Sequence, residues 1–215
     1  YRSYYKAKLS PLPFVSCKLA ISKDFFTVSK KNRWITNVYS RSRVHLIRSN
    51  HDCIITTSKT IIDDNSRLTC RISGLASRSP ARIILDNKLR IPVKSNVVKD
   101  ATKYNTIIFY NKKNIKKINR LRRLKVKLFK IPINIEGELN LENVLIKAKN
   151  LGYNRILIES GIRSISNFLR KDLVDDFILF VSNKKLRING KYQITKYLKL
   201  IFRSKKKYHE KVNLF

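Results

Sequence analysis

Glu159, Ser160 and Gly161 stand where an apolar run, RILIE, gives way to GIRSISNFL. A carboxylate at the end of a buried strand needs a partner or a ligand, because an unpaired buried charge is costly. Ser160 and Gly161 would open a helix, whose free N–H groups and positive dipole end suit a phosphate. Ordinary capping is the alternative use of the same residues. A second cluster, Thr57-Ser58-Lys59-Thr60 followed by Asp63-Asp64-Asn65, joins hydroxyls to carboxylates. That set suits a ribose or an amide, or equally a capped turn. Arg48 and Arg71 can each grip a phosphate through two N–H donors, although in so basic a chain most arginines are surface charges. Trp34 is the single tryptophan, and spacing alone makes it a core or edge aromatic.

Such residues are useful only if regular elements aim them. Phe14 to Ser22, FVSCKLAIS, reads as a strand after Pro13. Thr36 or Asn37 can cap a helix running to about Arg48. DCIITT from Asp52, ARIILD from Ala81, Tyr104 to Tyr110 and Arg155 to Glu159 read as short buried strands, and Leu124 to Phe129 as a half-exposed one. Asn140 to Leu151 has helical periodicity with a stop at Gly152, and Gly161 opens a helix to about Leu173. Asp175 to Ser182 is a further strand, while Thr57 to Arg71 reads as a polar loop. The last 35 residues read as β-rich antiparallel material, with TKYLKLIF as the clearest piece. Alternating strands and helices predict an α/β fold: a mainly parallel sheet with helices on both faces. In such sheets ligands sit beyond the carboxyl ends of the strands, where the polar clusters above fall. No Gly-rich dinucleotide or P-loop fingerprint is present.

Composition narrows the function classes. Of 215 residues, 48 are Lys or Arg and 14 Asp or Glu, a net charge of +34. That balance admits nucleic-acid binding, and the runs NKKNIKKINRLRRLKVKLFK (111–130) and RSKKK (203–207) are its strongest support. Yet Lys, Asn and Ile are abundant throughout, and the basic run lacks interleaved stacking aromatics; nucleic acid is therefore the disfavoured partner. Cys17, Cys53 and Cys70 form no Cys-x-x-Cys pair, and His45, His51 and His209 no metal-spaced cluster. A disulfide framework and a metal enzyme are both disfavoured, and a reduced, cytoplasmic setting is expected. No apolar run of 18 residues exists to span a membrane. The chain begins at Tyr1 and has no methionine, from which a preceding segment or domain is expected.

Taken in order, NRWIT, SRVHLIRSNHD, TSKTIIDDNSRLTCR, GLASRSPARIILDNKLRIP, ILIESG and FLRKDLVDDFILFVS resemble the reductase domain of the bifunctional riboflavin-biosynthesis deaminase/reductase, from about Val15 to Ser182. The resemblance implies one reductase domain over residues 1–215 with a dihydrofolate-reductase-like three-layer fold, a mainly parallel central sheet and an antiparallel C-terminal part. It implies NADPH as cofactor and reduction of the ribosylamino group of 5-amino-6-(5-phosphoribosylamino)uracil. It implies a homodimer, and a deaminase as a lost domain or a separate protein, since that domain's zinc signature is absent here.

Carried over position by position, the resemblance puts Lys18 near the substrate and Ala20 beside the cofactor. Asn32, Arg48, Leu68, Arg71 and Glu159 fall on substrate positions. Trp34, Thr60, Asp64 and Asn87 fall on cofactor positions, and Gly161, Ile162, Arg163, Ser164, Ile165, Ser166 and Asn167 on the segment holding the cofactor's phosphates. Lys18 and Glu159 are the candidate catalytic groups, with bound water a third proton source. The family's Ser-Leu-Asp-Gly is Ser22-Lys23-Asp24-Phe25 here, its Glu-Gly-Gly is Glu159-Ser160-Gly161, and its Asp-Pro has become Asn65-Ser66. The rivals are a degenerate or re-purposed pyrimidine or pterin reductase of the same fold, and a basic nucleic-acid-binding protein.

Overall fold

The computed structural model describes residues 1–31, 34–197 and 199–201. Nine strands are described: β1 (Phe14–Ile21), β2 (Phe26–Ser29), β3 (Cys53–Thr57), β4 (Ala81–Leu85), β5 (Thr106–Tyr110), β6 (Lys127–Lys130), β7 (Arg155–Ile158), β8 (Asp176–Val181) and β9 (Gly190–Gln193). The helices are α1 (Arg2–Leu9), α2 (Val38–Ser49), α3 (Ser58–Asp64), α4 (Asn96–Lys99), α5 (Ile115–Arg123), α6 (Leu141–Asn150) and α7 (Ile162–Arg170). Seven strands form one sheet in the order β6-β5-β4-β3-β7-β1-β8, with every pairing parallel. β2 and β9 form a small antiparallel pair.

The apolar runs explain the layers. A parallel strand covered on both faces must be apolar at successive positions. Ile54, Ile84, Ile108 and Leu157 point to one face, where Ile61 of α3, Val97 and Val98 of α4 and Ile118 and Leu121 of α5 cover them. Their neighbours Cys53, Ile55, Ile83, Ile107, Ile156 and Ile158 point to the other, under Val144 and Leu145 of α6 and Ile165 and Phe168 of α7. Each fully buried Leu or Ile contributes roughly 1.5–3 kcal/mol, so this double-sided core holds the strand ends fixed. Arg82, fully buried in β4, is tolerated because its guanidinium donates to the carbonyls of Arg67, Val97 and Tyr104 at 3.1 Å each.

Three segments differ from the sequence reading. Thr57 to Arg71 is not all loop. Its first half is α3, capped by Thr57 Oγ1 accepting from Thr60 N and ended by Asn65 at φ 45°. Seven residues with one buried isoleucine are too few to show periodicity. TKYLKLIF is not a strand: Thr195–Tyr197 is a 3-10 turn and residues 199–201 are helical. Ile194 and Ile201, both fully buried, dock on the main core. Among the described residues of that tail the antiparallel material is β9, paired with a strand, β2, to which the sequence reading gave no element. Gly190 starts β9 because a Cβ there would lie 2.3 Å from the Phe26 ring.

The turn joining β1 to β2 is tightly tied. Ser22 N donates to the Phe26 carbonyl and Phe26 N to Ser22 Oγ, at 2.8 and 2.9 Å. This geometry puts Phe25 at φ 68°, where a side chain costs roughly 1–2 kcal/mol and glycine almost nothing. Phe25→Gly is expected to raise unfolding free energy by about 0.5–1 kcal/mol, once glycine's extra chain entropy is subtracted. Phe25→Ala keeps the strain and should gain nothing; equal midpoints for the two variants in urea would refute the strain argument.

Candidate functional site

The sheet order reverses at β1, which lies between β7 and the edge strand β8 although β3 follows it in the chain. Beyond the carboxyl ends at this point side chains from four elements meet. The β1–β7 register pairs Cys17 with Ile158, so Lys18 and Glu159 follow side by side. Glu159 N donates to the Ile55 carbonyl of β3, which fixes the carboxylate at the end of β7. α2 supplies its partner: Arg48 Nε and Nη2 donate to the two Glu159 oxygens at 2.7 and 2.9 Å. The pair is largely out of water, with side-chain exposures of 12% and 9%.

α2 presents a stripe rather than a single arginine. Arg41, His45 and Arg48 recur at helical spacing along one face. The Arg41 guanidinium lies 5.0 Å from the centre of the Trp34 ring, a cation–π contact. His45 Nδ1 donates to the Thr69 carbonyl at 3.0 Å and faces Arg71 through Nε2. Arg48 Nη1 donates to the same carbonyl at 3.1 Å. Glu159, Arg48, Thr69, His45 and Arg71 are thus one hydrogen-bonded chain. His45 was not among the residues picked from sequence; the 41–45–48 spacing is the signal that points to it.

The charges bias one another. Burial pushes the Lys18 ammonium down from its usual range and Arg48 pushes the same way, while Glu159 opposes them. Burial pushes the Glu159 carboxyl up, but the Arg48 charge and hydrogen bonds, with Lys18 and His45, hold it below the usual carboxylate range. His45 is pushed below 6.5 by burial and by the Arg48 and Arg71 charges. His51 is pushed below it chiefly by burial; its ring bridges the Ile47 carbonyl and Ser16 Oγ. Both imidazoles are therefore neutral in the folded chain when the unfolded chain would already protonate them. Stability present above about pH 6.5 is lost as pH falls through that value, and Glu159 adds a further loss below about pH 4.5. The thermal midpoint is expected to drop between pH 7 and pH 5; a flat midpoint over that range would contradict the neutral histidines.

The remaining positions named from sequence are distributed as follows. Ala20 lies two residues beyond Lys18 in β1, half-buried. Leu68 has its side chain in the core and φ 56°, so it can offer a ligand only its backbone. Thr60 sits in the first turn of α3, with its hydroxyl 3.1 Å from that of Thr57, and Asp64 is exposed at the end of α3. Gly161 is the N-cap of α7 and no side chain accepts from its first turn, in which Ser164 N donates to the Gly161 carbonyl and the N–H groups of Ile162 and Arg163 precede that bond. Ile162, Ile165 and Ser166 are buried, while Arg163 and Ser164 lie outward. Asn87 donates to the Gly137 carbonyl and Asn167 to Glu138, at 2.8 and 3.1 Å. One turn, Asn134–Glu138, therefore links the end of β4 to the middle of α7. Asn32 and the RSKKK run lie outside the described residues.

The start of α7, which has no side-chain cap, suits anionic groups such as a dinucleotide's phosphates. The buried hydroxyls Thr56 Oγ1 and Ser160 Oγ, which flank Glu159 at the strand ends, have no hydrogen-bond partner among the described residues. Among the described residues no group of His, Cys, Asp and Glu could hold a metal ion, and no helix is long and apolar enough to cross a membrane.

Comparison with known proteins places these features in a family. The family model described as RibD C-terminal domain matches residues 13–195. The chain is 30% identical to riboflavin biosynthesis protein RibD of Aquifex aeolicus over 174 residues, 80% of this chain and 47% of that protein. It is 29% identical to the RibD of Bacillus amyloliquefaciens over 77% of this chain and 44% of the relative. The chain thus spans about half the length of these relatives. Among solved structures, RibD of Acinetobacter baumannii superposes with a TM-score of 0.75 at 24% identity, covering 88% of this chain and 51% of that one. A deaminase and 5-amino-6-(5-phosphoribosylamino)uracil reductase from Thermotoga maritima gives 0.72 at 22% identity, over 100% and 54%. At these identities the superpositions speak for the fold.

Proposed function

Because the chain belongs to the RibD C-terminal domain family, we propose that it is the reductase of 5-amino-6-(5-phosphoribosylamino)uracil, working with NADPH and alongside a deaminase on the same or another chain. The observation that carries this reading is the gathering of Lys18 in β1 with the Arg48–Glu159 pair at the end of β7, joined through Thr69 and His45 to Arg71, directly before the open start of α7.

The substrate is an anion with a polar pyrimidine. Arg71 is exposed and, among the described residues, pairs with no carboxylate; it suits the phosphate. Glu159 keeps lone pairs free after accepting twice from Arg48, and these suit the pyrimidine's N–H donors. Arg48, committed to Glu159 and Thr69, orients that carboxylate. The sugar must open to an imine at C1′. NADPH, when bound, would supply the hydride for that carbon, and reduction of the imine then needs one proton at its nitrogen to give the ribitylamino product. Lys18 is the group that can deliver that proton: burial already disfavours its ammonium, so proton release is made easier. The rest is positioning, which can account for roughly 7–11 kcal/mol of a barrier.

Trp34 is half exposed against Arg41, so bound NADPH is expected to change its fluorescence. Adding the phosphoribosylaminouracil should then consume NADPH. A chain whose Trp34 ignores NADPH and which consumes none with this substrate would overturn the proposal.

A further inference from the structure

We infer that His45 is a positioning residue for Arg71: as the neutral Nδ1–H tautomer it fixes that guanidinium for a phosphate monoester. The inference rests on the reductase reading only for which monoester is bound.

Each link of the chain has a forced direction. The Thr69 carbonyl can only accept, so His45 Nδ1, 3.0 Å away, carries the hydrogen. A neutral ring then has only a lone pair at Nε2. Arg71 Nε and Nη2 each lie 3.3 Å from that nitrogen, and a guanidinium can only donate. Protonation of His45 would set two donors face to face; burial and the Arg48 and Arg71 charges all oppose it. Thr69, buried at 4% exposure and shared with Arg48, anchors the imidazole to the site's central ion pair.

The consequence lies in which edge of Arg71 is left. With Nε and Nη2 turned to His45, its outer edge remains for an anion, and a planar fork held in advance loses less freedom on binding. An arginine on a flexible stem without this brace would have to be ordered by the ligand itself.

The two amide replacements of His45 separate the links. His45→Gln keeps an acceptor near the Nε2 position but weakens the bond to Thr69; His45→Asn keeps a donor near Nδ1 but leaves nothing for Arg71. Binding of ribose 5-phosphate, measured by calorimetry at constant pH and ionic strength, is the probe, with thermal melts to verify folding. His45→Asn is expected to weaken binding about tenfold and His45→Gln no more than about twofold, with Arg71→Ala at least as damaging as His45→Asn. Wild-type affinity in His45→Asn, equal losses in both His45 variants, or no ribose 5-phosphate binding by the wild-type chain would each overturn the inference. The Trp34 response to NADPH and NADPH consumption with the phosphoribosylaminouracil are read on the same wild-type sample. If both are absent while the phosphate pattern holds, the reductase reading falls and the role of His45 stands.

Discussion

Replacing Arg48 with alanine is expected to lower unfolding free energy by about 3–5 kcal/mol, because the Glu159 carboxylate would be left nearly buried with its charge uncompensated. Both groups lie at or below 12% side-chain exposure and share two short hydrogen bonds, so solvent screening is slight. The paired substitution Arg48→Met with Glu159→Leu removes both charges and should recover most of that loss, since apolar replacements of a buried ion pair are often neutral. Urea unfolding of wild type, single and double variants measures this. The double variant should also be catalytically dead, which separates stability from function. A single variant within 1 kcal/mol of wild type would show that water reaches the pair and that the site is looser than its geometry.

Lys18→Met is the second large effect. Methionine keeps the length and apolar stem of lysine but cannot deliver a proton. Turnover should fall by roughly 10²–10⁴-fold, the usual contribution of a positioned acid or base, while NADPH affinity stays near that of wild type. The pH profile gives the finer reading: the alkaline limb set by the lowered Lys18 should disappear in the variant. Turnover within tenfold of wild type would assign the proton to water instead.

What sequence could deliver follows from how far each signal reaches. Strands β3, β4, β5 and β7 were legible because a two-sided burial requirement leaves little room for polar residues. Helix α6 was legible because Asn140, its cap, and Gly152, just beyond its end, bracket a clean period. β2 was not, being four residues long and half exposed, and β9 was legible only as antiparallel material within the last 35 residues; TKYLKLIF failed because its alternation imitates a strand where Thr195–Tyr197 forms a 3-10 turn. In the site, Glu159 and Arg48 were candidates by residue type and place, Lys18 came from family resemblance, and the register of β1 with β7 sets Lys18 beside Glu159. No pattern in the sequence could have shown that Arg48 faces Glu159, 111 positions away. His45 was missed because the 41–45–48 spacing only places it on the face of Arg48, and its role shows once Thr69 and Arg71 are seen beside it in space. Phe25 was legible as a departure, and its backbone takes up the left-handed conformation that glycine would have allowed.

The outermost strand at the other end of the sheet has a further consequence. Among the described residues β6 has no neighbour on one flank, and exposed Lys127 and Lys130 mark its ends, with Lys116, Arg120, Arg122 and Arg123 on the adjoining α5. Asp100 and Glu136 bracket a span with no acidic residue between them. Two such flanks brought together would force cation against cation before any ladder could form. The positive band thus acts as a guard against ribbon-like growth of one molecule onto the next, a hazard that every open sheet carries.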